Sequence, residues 1–119
     1  MSTTMKPVPR SMLFTPATKA GYFGKAAEVG ADAVILDLED SVATAAKDQA
    51  RRSALNYLGS ERPSGVATAL RINAPATLAG WQDLTALLQS SCDPDFVVIP
   101  KAESAAVAGL VKSLLAQAR

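Results

Sequence analysis

The chain has 119 residues, 49% of them apolar and 19% charged, an ordinary composition for a soluble globular domain with a core of its own. Twelve basic and eleven acidic residues leave a net charge of +1, so no strong field steers it toward nucleic acid or an acidic membrane. With no histidine, its own residues form no Ser-His-Asp or Cys-His group and no His-containing zinc site; the single cysteine, Cys92, excludes an internal disulfide and fits a reducing cytoplasm.

Residues 1–9, MSTTMKPVP, have one charge, two prolines and no apolar signal core, and read as a flexible leader. RSMLFTP then gives a short strand over 10–15, stopped by Pro16. Tyr22, Phe23, Ala26, Ala27 and Val29, closed by Gly30, predict a helix over 18–29. The continuous apolar run ADAVILDLE predicts a strand over 32–38, covered on both faces. A helix follows over 44–58, with Thr44 as its cap, Lys47, Asp48, Arg51 and Arg52 on its polar side and Ala50, Leu55 and Leu58 inward. VATALRIN gives a strand over 66–72. Leu78, Trp81, Leu84, Leu87 and Leu88 predict a helix over 77–90 with Trp81 in the core. A last strand over 95–100 and a last helix over 103–117 complete the pattern.

Four strand–helix units imply a parallel sheet with right-handed crossovers. Two architectures fit: an open doubly wound sheet, or the N-terminal half of a (β/α)8 barrel, which needs about 250 residues when whole. No GxGxxG or GxxxxGK[ST] stretch supports nucleotide binding. No apolar run approaches the ~20 residues of a membrane-spanning helix. Each strand ends in polar residues: Thr15; then Asp37, Glu39 and Asp40; then Arg71 and Asn73; then Lys101 and Glu103. In parallel α/β proteins that end gathers the ligand. Opposite charges after three of four strands suggest one shared polar site.

The collinear motifs RSMLFTP, GADAVILDLEDSVA, KDQAR, LRIN and VVIPKAES resemble those of the citrate lyase beta subunit-like group. That group lies within the HpcH/HpaI aldolase and citrate lyase superfamily, and malyl-CoA lyase is among its relatives. The resemblance implies a phosphoenolpyruvate-binding type TIM barrel, assembled as a trimer or hexamer. It implies a carbon–carbon lyase or synthase acting on a β-hydroxyacyl thioester of CoA or an acyl carrier, with a small keto acid as partner. Most relatives use Mg2+, held by a Glu and an Asp from later strands, so these ligands are expected beyond Arg119 and the chain reads as truncated before them. A non-catalytic half-barrel that binds CoA or self-assembles is the alternative.

By the same resemblance, Arg71 matches the third-strand Arg that steadies the carbonyl and developing enolate oxygen. Asp37 and Glu39 match acids near the metal and its waters. Phe14 and Thr15 match residues lining the CoA thioester, and Lys19 and Lys25 match basic residues that meet the CoA phosphates. Lys101 and Glu103 order the end of the fourth strand. The chemistry explains the types: cleavage leaves an enolate, and a planar guanidinium provides positive charge in fixed geometry. Two departures stand out. Pro16-Ala17-Thr18 replaces the family's Pro-Gly-Asn or Pro-Gly-Ser, and Ala74 stands where relatives have Pro. Simpler readings run alongside: Asp40 as helix N-terminal charge, Lys101 and Glu103 as a pairing or capping group, and Cys92 as an ordinary thiol.

Overall fold

The computed structural model describes residues 8–117. The leader expected over 1–9 therefore lies mostly outside the described residues. Four strands and four helices alternate: β1 (Met12–Pro16), α1 (Gly21–Glu28), β2 (Ala33–Asp37), α2 (Lys47–Leu58), β3 (Ala67–Arg71), α3 (Leu78–Gln89), β4 (Phe96–Val98) and α4 (Ala105–Gln117). The strands are all parallel and ordered β1-β2-β3-β4. A doubly wound sheet reverses its strand order at a switch point. These four strands do not reverse, so right-handed crossovers place every helix on the same face.

Strand register aligns side chains in rows. Thr15, Leu36, Leu70 and Val97 share one row, and Pro16, Asp37, Arg71 and Val98 share the next. Because side chains alternate along a strand, the two rows point to opposite faces. The main core lies on the first side, where Val34, Leu36 and Leu70 meet Phe23 and Ala26 of α1, Ala50, Ala54 and Leu58 of α2, Leu84 and Leu87 of α3, and Val111 of α4. Phe23 and Tyr57 add a tilted ring pair at 5.0 Å. The other face carries Ala33, Ile35 and Ala69, all buried, beside Met12 and Phe14, which stay about half exposed. β2 is buried on both faces, as its unbroken apolar run predicts, with the helices packed on one side only.

The helix faces also needed correction. Leu78 and Trp81 are 74% and 55% exposed, so Trp81 is not core. The buried stripe of α3 is Gly80, Asp83, Leu84 and Leu87. A helix rotated to bury Leu84 and Leu87 must also bury positions 80 and 83, and it turns 78 and 81 outward. Tyr22 and Val29 of the first helix are exposed for the same geometric reason, leaving Phe23 and Ala26 inward. Thr44 opens a short 3-10 turn over Thr44–Ala46 and makes no side-chain cap. Arg51, read as polar-side, is turned inward with only 11% of its side chain exposed. Helix α3 does have a side-chain cap: the Gly80 N–H donates to Thr77 Oγ1 at 3.1 Å.

Gly80 lets α3 approach the β3–α3 loop. A Cβ there would sit 2.0 Å from Ala74 O and 2.8 Å from Asn73 O, both backbone atoms. Nothing lies within 4 Å of a Cβ at Gly24, on α1. Gly80→Ala is therefore expected to destabilise the chain by at least about 1–3 kcal/mol, or to prevent folding. Gly24→Ala is expected to stabilise it by about 0.5–1 kcal/mol. Urea denaturation of the two variants checks this, and equal shifts would contradict the packing described.

Candidate active site

The site lies at the C-terminal end of the sheet, where Asp37 and Arg71 are register partners on adjacent strands. Arg71 Nε donates to Asp37 Oδ1 at 2.8 Å and Nη2 to Oδ2 at 2.9 Å, a bidentate pair. The turn after β2 wraps the same carboxylate. Glu39 N–H donates to Oδ1 at 2.9 Å, and Ser41 donates to Oδ2 through N–H at 3.1 Å and Oγ at 2.6 Å. Asp37 is 1% exposed and has five donors. Burial alone pushes its carboxyl pKa up. The bonds from Arg71, Ser41 and the Glu39 and Ser41 N–H groups outweigh burial and hold it well below the usual carboxylate range. Arg71 in turn is held more firmly protonated by the Asp37 carboxylate.

The Arg71 guanidinium carbon lies 4.6 Å from the centroid of the Phe14 ring, a cation–π stack. Its third nitrogen, Nη1, is 3.7 Å from Glu39 Oε1, within ion-pair range and too long for a hydrogen bond. Glu39 Oε1 is buried and has no hydrogen-bond partner among the described residues. The other oxygen, Oε2, accepts from Lys101 Nζ at 2.5 Å, and Lys101 also reaches Asp40 Oδ1 at 3.2 Å. The Lys101 backbone has φ 49°, the left-handed region that few non-glycine residues adopt. These acids raise the Lys101 pKa, Glu39 first.

Of the residues singled out in the sequence, Phe14, Asp37, Glu39, Asp40, Arg71 and Lys101 are brought together. Thr15 and Asn73 point elsewhere. Thr15 shares its row with Leu36 on the helix-covered side and donates its hydroxyl to Ile35 O at 2.9 Å. Lys19 and Lys25 flank the Tyr22 ring at 5.6 and 6.0 Å. Glu103 is exposed ahead of α4. Cys92 is half-buried, its thiol donating to Leu55 O at 3.2 Å.

The sequence reading missed the supports beneath the site. Asn73 donates through Nδ2 to Leu38 O at 3.0 Å and to Asp83 Oδ2 at 2.7 Å, and its N–H also reaches Asp83 Oδ2 at 2.7 Å. Arg51 Nε donates to Asp83 Oδ1 at 2.8 Å. A signal existed: Asp83 precedes Leu84 and falls in the same stripe as Gly80 and Leu87. An acid in a buried stripe demands partners. The pattern of apolar residues alone does not say where those partners are.

Among the described residues, no group of three or more His, Cys, Asp or Glu side chains could hold a metal ion. The donor chemistry agrees. Asp37 is saturated, and Lys101 engages Glu39 and Asp40. These residues do not by themselves fit a divalent cation.

Because Asp37 is depressed in the folded chain, its stabilising contribution is full above its unfolded pKa of about 3.9 and is lost as pH falls below that value. Asp37→Asn should cost about 2–3 kcal/mol at neutral pH. The gap from the unsubstituted chain should narrow steadily below about pH 4. Denaturation midpoints measured from pH 7 to pH 2 check the sign; a gap that widens in acid would contradict it.

Residues 10–119 match the family model HpcH/HpaI aldolase/citrate lyase. Over 96 residues the chain is 38% identical to the citrate lyase subunit beta of Escherichia coli, covering 81% of this chain and 31% of that protein. It is 34% identical over 117 residues to the L-malyl-CoA/beta-methylmalyl-CoA lyase of Rhodobacter capsulatus, covering 94% of this chain and 37% of that one. The solved structure of CitE from Mycobacterium tuberculosis in complex with magnesium, acetoacetate and coenzyme A superposes with a TM-score of 0.70 at 42% identity, covering 84% of this chain and 35% of that one. The chain thus spans about a third of the length of the relatives it matches. With its fold, its motifs and nearly its full length matched, the chain belongs to the HpcH/HpaI aldolase/citrate lyase family.

Proposed function

We propose that this chain carries the enolate-stabilising part of a carbon–carbon lyase or synthase acting on a β-hydroxyacyl thioester of the citryl-, malyl- or citramalyl-CoA type. The reading rests on one observation: Arg71 is fixed by two bonds to a buried, saturated carboxylate, while Nη1 faces a partnerless Glu39 oxygen 3.7 Å away. Its relatives' names supply the substrate class. The sheet is read as half of a (β/α)8 barrel, because an unreversed strand order with helices on one face is how such a barrel begins.

The residues divide the work. Asp37 holds Arg71; with five donors it has no free lone-pair direction for a proton. Arg71 offers positive charge already in place where the thioester carbonyl oxygen gains charge, so the site need not reorganise as the bond breaks. If Nη1 and Oε1 part from their 3.7 Å separation, a substrate hydroxyl can enter, donating its O–H to Oε1 and accepting from Nη1. On cleavage, the hydroxyl proton passes to Glu39, and the C–C electron pair moves onto the thioester carbonyl oxygen. The hydroxyl-bearing carbon leaves as the keto acid's carbonyl. Phe14 forms an apolar wall beside the thioester, and Lys19 and Lys25 meet the CoA phosphates as exposed charges. Thr15 supports that wall from behind through β2. Mg2+ is expected to assist; among the described residues no group of three or more acids gathers to hold it unaided. A cytoplasmic oligomer is the expected setting.

Isothermal titration with acetyl-CoA and with CoA tests the reading on this chain. Lys19→Ala with Lys25→Ala should weaken both ligands about 3- to 30-fold, as two screened charges are lost. Arg71→Gln should weaken acetyl-CoA alone. Loss of affinity for both on Arg71→Gln, or for neither in any variant, would sink the assignment. In a full-length relative, replacing the residue equivalent to Arg71 should cost about 10²–10³ in kcat.

A second reading, a non-catalytic module, draws on the half-exposed Met12 and Phe14 on the sheet face opposite the helices. Size-exclusion chromatography separates the two: a discrete dimer that binds CoA without turning over any of the three thioesters would favour it.

A further inference from the structure

We infer that Lys47 is a positioning residue for this site, acting as a built-in cation that orders the β2–α2 turn from the side opposite Asp37. Its ammonium donates to three backbone carbonyls, Leu38 O and Glu39 O at 3.1 Å and Val42 O at 3.2 Å. An ammonium group has three N–H donors, and here each has its own acceptor. The three carbonyls belong to the turn that carries Glu39 and Asp40 and whose amides bind Asp37.

The peptide unit between Leu38 and Glu39 shows the logic. Its N–H donates to Asp37 Oδ1, while its C=O accepts from Lys47 Nζ and from Asn73 Nδ2. A cation at the oxygen end of a peptide makes its N–H a stronger donor to an anion at the other end. The turn is thus held between an ammonium and a carboxylate, its amides facing the acid and its carbonyls facing the base. Val42, which closes the turn through its N–H to Glu39 O at 3.2 Å, buries its side chain in the main core. The result fixes where the Glu39 and Asp40 carboxylates emerge, toward Arg71 and Lys101.

Helix position explains why a lysine does this. Lys47 is the first residue of α2, directly after the 3-10 turn, and its long side chain folds back over the loop that leads into its own helix. Arginine has the same charge, but its planar fork cannot converge on three carbonyls as an ammonium does.

The catalytic meaning of this inference rests on the lyase reading above, but its test needs no thioester, so failure of one does not mimic failure of the other. Amide hydrogen exchange on the 119-residue chain is the readout. In Lys47→Met, the Glu39 and Ser41 amides should exchange roughly tenfold faster, while Val34 and Leu36 in β2 stay protected. Lys47→Arg should keep the fold and still fail to restore full protection at Glu39 and Ser41. In Lys47→Ala, added methylammonium should restore protection at those two amides, and tetramethylammonium, which has no N–H donor, should not. Unchanged exchange in Lys47→Met, uniform acceleration across β2 and the turn, full protection in Lys47→Arg, or equal rescue by both ions would each overturn the inference.

Discussion

A buried carboxylate is the constraint on which this end of the molecule depends. Asp37 sits at the end of a wholly buried strand, where an unpaired charge would be strongly disfavoured. The chain answers with five donors from two sources, the guanidinium of the neighbouring strand and the turn that leaves Asp37's own strand. Each of those donors is fixed because the acid needs it. The acid therefore acts as a template for the turn and as an anchor for Arg71, whose guanidinium inherits its rigidity.

That local solution spreads into the fold through Leu38. Its N–H donates to Arg71 O, and its carbonyl accepts from Asn73 and Lys47. Asn73 is tied to Asp83 on α3, and Asp83 to Arg51 on α2. The close approach of α3 at Gly80 completes the clamp by seating the helix against the backbone of Asn73 and Ala74. Polar groups on the helix-covered side thus hold the strand ends, while Asp37, Glu39, Arg71 and Lys101 gather on the other side. The two sets meet in the backbone of β2 and β3.

Much of this was legible in the sequence, for reasons that can be named. The alternation of short apolar runs with amphipathic stretches marked a parallel α/β chain, because each element has its own period. Acids and bases at successive strand ends marked a candidate site, and Asp37, Glu39, Arg71 and Lys101 do come together, because parallel strands deliver their ends to the same edge. Three things were not legible. The rotation of α3 was misjudged, since Leu78 and Trp81 fit the helical period as well as Gly80 and Asp83 do, and only packing chooses between the two phases. Lys47 and Arg51 read as surface charges, because a side chain's ability to fold back onto a loop leaves no periodic trace. Thr15 was read toward the ligand, although its place in β1, one residue from Phe14, sends it to the opposite face.

Within its family, the chain presents the Arg71 centre as a unit whose geometry is set by the described residues themselves. The coupling between Asp37 and Arg71 is the most direct test of that claim. A double-mutant cycle with Asp37→Asn, Arg71→Gln and the pair, followed by denaturation at neutral pH, should give an interaction energy of about 1.5–3 kcal/mol. Additivity within about 0.5 kcal/mol would mean that the two side chains do not hold each other, and the proposed template would be wrong.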